Sequence, residues 1–123
     1  MSRRLDGDFD AIVDDVTAAL EEEEFGVLAD IDLQQKFAEK LGLDGYPRYR
    51  ILGACNPPLA KEGLEAESDL GVLLPCNVVV YEDDGAVVVS AVEPKTMLSV
   101  VDNDELDDIA TDVRERFERV LDT

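Results

Sequence analysis

Two valine runs, Val78–Val79–Val80 and Val87–Val88–Val89, stand on either side of "YEDDGA" and constrain this chain more than any other feature. β-Branched triplets favour extended backbone, and "DDG" between them is a hairpin signal, with Gly85 free to take a positive φ. The spacing predicts strands over Val72–Glu82 and Ala86–Glu93, paired antiparallel, so the sheet cannot be all-parallel. Valines fall at both odd and even positions and would line both faces of the sheet.

The rest of the chain supplies helices and further strands. Phe9, Ile12, Val13, Val16 and Leu20 sit at helical spacing over Asp8–Glu24, with Asp8 as N-cap. "FGVLADID" (Phe25–Asp32) alternates as a half-buried strand, and Leu33–Leu41 reads as a short helix capped by Asp32 and closed by Gly42. Arg48–Cys55 is a strand. Asn56 then suits an N-cap, with Pro57 and Pro58 in the first turn of a helix that ends near Ser68. A long helix from about Asp104 to Leu121 carries a stripe of Leu106, Ile109, Ala110, Val113, Phe117, Val120 and Leu121. The expectation is one α+β domain over residues 1–123. It is a two-layer sandwich of a mostly antiparallel four-stranded sheet with two long and two short helices. One layer of helices leaves a sheet face open, and its apolar residues would meet a second subunit.

Charge and missing residue types exclude much. Thirty acidic against eleven basic side chains give a formal net charge of −19, with carboxylates in every segment. A basic stripe for phosphate backbones is missing, so nucleic acid is excluded as a partner. Such a surface repels itself at low ionic strength and is screened in molar salt, as in a halophile's cytoplasm. No apolar run is long enough to cross a bilayer, and the N-terminus does not read as a signal peptide, so a cytoplasmic protein is expected. The chain contains no histidine. That removes Ser-His-Asp and Cys-His catalysis and His-based metal sites. No catalytic residue and no metal site are assigned, and the cofactor stays unknown.

The only two cysteines, Cys55 and Cys76, each precede an asparagine, and each dipeptide lies beside proline: Cys55–Asn56–Pro57–Pro58 and Pro75–Cys76–Asn77. Their separation is far from the CxxC spacing of redox motifs or zinc knuckles. If their strands are antiparallel neighbours, the two thiols share one end of the sheet; a parallel crossover would put them at opposite ends. They read as small buried side chains, as a reactive or soft-metal pair, or as a disulfide. Arg48 and Arg50, alternating with Tyr49, could clamp an anion, guard an edge strand or pair with surface carboxylates. "VDNDELDD" lacks the glycine and distal glutamate of a calcium loop and reads as a helix N-terminus.

"FGVLADIDLQQKFAEKLG", "YRILGACNPPLAKEGLEAE", "GVLLPCNVVVYEDDGAVVVSAVEP" and "LDDIATDVRERFERVL" together resemble the DUF302 family over almost the whole chain. The resemblance implies a compact α+β domain that dimerises through its sheets, and a family function that is not known. Any site it carries over falls on Cys55, Asn56, Pro57, Pro58, Pro75, Cys76 and Asn77. The chain departs from common relatives in its acidity and in its arginine-bearing start, which leaves Met1–Leu5 unassigned to the sheet. These readings converge on a homodimeric domain adapted to high salt. It would bind a small molecule or partner near the Cys-Asn motifs, with a thiol-dependent redox or soft-metal protein as the alternative.

Overall fold

The computed structural model describes residues 1–122. Five strands, β1 (Ser2–Leu5), β2 (Gly26–Asp32), β3 (Tyr49–Cys55), β4 (Cys76–Asp83) and β5 (Ala86–Ala91), form one antiparallel sheet in the order β1-β5-β4-β3-β2. The helices are α1 (Phe9–Glu22), α2 (Leu33–Leu41), α3 (Pro57–Ala66), α4 (Pro94–Ser99) and α5 (Asp107–Leu121). Short 3-10 turns cover Ser68–Leu73 and Asp104–Leu106.

The valine hairpin forms as its sequence demands, with Val80 opposite Val89 and Val78 opposite Ala91. Gly85 holds a φ of 77°, and Asp84 before it also takes a positive φ. The sheet has five strands rather than the expected four. Ser2–Leu5 pairs along β5, and Met1 extends the ladder through Ala91 N–H to its carbonyl at 2.7 Å. Its sequence gives no apolar signal because Arg3 and Arg4 occupy an edge, where charge discourages pairing with another chain. Arg4 reaches over to the Asp83 carboxylate at 2.9 Å.

Two further boundaries differ. Residues 72–75 do not join β4. Val72 sits in a 3-10 turn and is 85% exposed, and Cys76 opens the strand after a cis Leu74–Pro75 bond. The "PKTML" segment forms α4, its first turn set by Pro94 and capped by the Glu93 carboxylate on Lys95 N–H. The helix caps at Asp8, Asp32, Gly42 and Asn56 stand where the sequence puts them.

α1 and α5 lie against the sheet face formed by Leu52, Ala54, Val78, Val80, Val89 and Ala91. Phe25 stacks on Phe117 at 5.0 Å between ring centroids, and both are essentially sealed from solvent. Each such side chain contributes about 1.5–3 kcal/mol relative to exposure. On the opposite face Ile51, Val79, Tyr49 and Tyr81 are only half-buried, the two tyrosines stacked at 5.1 Å. Edge strand β2 is more exposed than its alternation implied: Leu28 at a bulge is 71% exposed and Ile31 41%. No residue of α2 is buried. Among the described residues no helix is long and apolar enough to cross a membrane.

Candidate functional site

β3 and β4 are antiparallel neighbours, and their register sets Ala54 opposite Cys76. Cys55 is the next residue along, so both cysteines stand at the same end of the sheet, as free thiols. Both line one apolar cavity of about 30 Å³ that is flanked by Leu59 of α3, Met97 and Leu98 of α4, and Ile109 and Val113 of α5. Cys55 is half-buried and Cys76 buried. Burial, with a smaller contribution from neighbouring Cys55, pushes the Cys76 thiol up to about 11. It is therefore protonated at neutral pH and a poor nucleophile.

The motif residues divide into three sets. Cys55, Asn56 and Cys76 reach the cavity. Pro57 and Pro58 are exposed on the first turn of α3, where they fix φ and shape its start. Pro75 and Asn77 are exposed, Asn77 in register with Gly53. A Cβ on Gly53 would come within 2.9 Å of Pro75 Cγ and 3.3 Å of Ala29 Cβ, so glycine is what lets Pro75 lie against β3.

Asn56 is buried, and its amide is already committed. Oδ1 accepts from Leu59 N–H at 3.3 Å, capping α3, and Nδ2 donates to the Glu23 carbonyl at 3.3 Å. The same carbonyl takes a second bond from Arg116 Nη1 at 2.8 Å, and the Glu23 carboxylate pairs with Arg119. Arg119 holds the Glu23 carboxyl below the usual carboxylate range. Asn56 thus ties the floor of the cavity to the end of α1.

Met97 and Pro94 also line the cavity, and neither stood among the sequence candidates. The signal was present in Glu93-Pro94, an N-cap followed by an N1 proline. A helix of six residues is too short to show periodicity, however. Arg48 and Arg50 do not form an anion clamp: Arg48 pairs with Asp10 at 2.6 Å over the ring of Phe9, and Arg50 forks onto Asp30. Asp32 and Asn103 act as helix caps. A separate cleft, about 400 Å³, lies between α4 and α5 and is lined by Lys95, Asp102, Asp104 and Asp107 among others. It is open and polar, and shares only Leu98 with the cysteine cavity. Among the described residues no three His, Cys, Asp or Glu side chains gather as metal ligands.

Among solved structures, the chain is similar to the crystal structure of an uncharacterized conserved DUF302 protein from Bacillus stearothermophilus. The two share 29% identity and a TM-score of 0.92, over 99% of this chain and 94% of that one. No curated protein matches. Residues 1–123 match the family described as "Domain of unknown function DUF302". With its whole length matched and its architecture shared, the chain belongs to the DUF302 family.

Proposed function

We propose that this protein is a homodimeric binding domain whose binding site is the apolar cavity lined by Cys55, Asn56 and Cys76. One observation carries the reading: Cys55 and Asn56 at the end of β3 and Cys76 at the start of β4 line a single pocket walled by three helices. Its volume of about 30 Å³ suits an occupant of one or a few atoms, since a single water needs roughly 10–15 Å³. The redox alternative draws less support, because a thiol held up to about 11 gives almost no thiolate at neutral pH. The soft-metal alternative draws support only from two cysteines lining one cavity.

The dimer reading rests on the open sheet face. Across the register Ile31, Ile51, Val79, Ser90 and Ser2 form one uncharged row, in a chain whose residues are 33% charged. Tyr49 and Tyr81 flank it. A second copy brings the same row, and two such rows bury apolar area without pairing like charges. Salt assists by screening the two net charges of −19. Sedimentation equilibrium in molar potassium salt tests this. The wild type should run as a dimer and Val79→Asp as a folded monomer; a monomeric wild type, or a dimeric variant, refutes it.

A further inference from the structure

The wall of the cysteine cavity carries no charged side chain, in a chain whose residues are 33% charged. We infer that the cavity takes the end of an unbranched alkyl chain, from a free small molecule whose head group bears no negative charge. The inference rests on the reading of the cavity as the binding site and names its ligand class.

Polar groups in the wall offer an occupant nothing. Asn56 is its one amide, and both ends of that amide are taken, by Leu59 N–H and by the Glu23 carbonyl. The Cys76 thiol is protonated at neutral pH and adds no charge. The bound part of a ligand is therefore held by apolar contact, and a polar atom placed there would go unpaired. The volume of about 30 Å³ excludes rings, since benzene occupies a cavity of roughly 150 Å³. The cavity is also not sealed: Leu59, Leu74 and Met97 in its wall are only half-buried. A narrow chain end can enter while the rest of the molecule passes between these side chains to solvent. Met97, unbranched and flexible, adapts to it. A membrane lipid does not suit the site. Withdrawing a long tail from the bilayer gives up apolar burial at every methylene, and a cavity for a few carbons restores only a fraction of it. The net charge of −19 repels an anionic head group, most strongly at low ionic strength.

The probes are the straight-chain primary alcohols from ethanol to octanol, titrated into the full chain in molar potassium chloride and followed by the methyl resonances of Leu59, Met97 and Leu98. Kd should fall about fourfold with each added methylene and level off once the chain end fills the cavity. Cyclohexanol should leave these resonances unmoved. Hexanoate should bind more weakly than hexanol, and the gap should narrow as salt is raised. Ala60→Leu, which fills the wall from α3 with a good helix former, should abolish binding, with far-UV circular dichroism checking that it is folded. If it does not fold, Met97→Ala decides, because the space it opens should admit cyclohexanol. Equal affinity along the alcohol series, cyclohexanol binding the wild type as well as hexanol does, or full binding by folded Ala60→Leu overturns the inference. Xenon, read on the same resonances, separates it from the cavity reading. Xenon uptake without alcohol binding leaves the cavity a site and removes the alkyl chain, and silence from both probes removes the site as well.

Discussion

Asn56→Ala isolates the part of the Cys-Asn motif that is structural. Two bonds disappear: the cap on Leu59 N–H and the donation to the Glu23 carbonyl, each 3.3 Å long. Loss of an asparagine N-cap costs about 1 kcal/mol. The second bond contributes about 0.5–1.5 kcal/mol net. The Glu23 carbonyl keeps its bond from Arg116, so no acceptor is orphaned and the penalty stays at that level. The total is about 2 kcal/mol. For a chain of this size that lowers Tm by about 6–10 °C. Asn56→Ser, which retains a cap oxygen and loses only the donor, should fall between the alanine variant and wild type. Asn56→Asp also keeps the cap but turns a carboxylate toward the Glu23 carbonyl at a site only 4% exposed. It should be less stable than Asn56→Ala at neutral pH and recover as the carboxyl is protonated in acid. Guanidinium denaturation in constant molar salt reads all four proteins. An alanine variant within about 0.5 kcal/mol of wild type, the range of a plain surface change, would refute the assignment.

Three other outcomes follow from charge and titration. Burial raises the folded pKa of Cys76 to about 11 from its ordinary value of 9.0, so its contribution is intact below pH 9 and lost as pH rises toward 11. That loss amounts to about 2–3 kcal/mol. Cys76→Ala should flatten the stability profile across this window, and an unchanged alkaline limb would count against burial of the thiol. The net charge of −19 makes stability rise with potassium chloride from 0.1 M to 2 M and then level off as the Debye length falls to about 3 Å. A denaturation midpoint independent of salt would remove the proposed salt adaptation. Arg48→Ala should cost more than a typical surface change, about 1 kcal/mol, because the guanidinium both pairs with Asp10 and covers the Phe9 ring. Thermal melts of Arg48→Ala and Arg48→Lys check this, and equal stability of both with wild type contradicts it.

Much of the fold is written in local chemistry. Asp8, Asp32 and Asn56 mark helix starts because their short side-chain oxygens satisfy first-turn N–H groups, and each does so here. The valine hairpin and Gly85 fix one register through side-chain volume and backbone freedom. What escaped a linear reading depends on tertiary placement. Ser2–Leu5 carries no strand signal, since an edge strand is held by backbone bonds to β5 and needs no apolar alternation. Val72 to Leu74 looked like strand because apolar runs of strand and irregular segments are alike until the Leu74–Pro75 turn is in place.

The site was legible in residue type but not in grouping. Cys55 and Cys76 were singled out as the only cysteines, yet their standing at one end of the sheet depended on strand order, which β3–β4 pairing decides. Pro75 and Asn77 share a motif with Cys76 but are exposed, whereas Cys76 is buried. Asn56 stood among the site candidates, and its amide is taken up by Leu59 and Glu23. Met97 escaped because its helix has six residues and no periodic stripe.

The central claim is that both motif cysteines open onto one cavity within a single chain. Reaction of the folded protein in molar salt with a short bis-alkylating reagent, followed by intact mass and peptide mapping, tests it most directly. The account predicts attack first at the half-buried Cys55 and then slow closure onto the buried, protonated Cys76, giving one bridging reagent per chain. Two separate single-ended adducts, or labelling of Cys76 only after denaturation with no bridge formed, would contradict it.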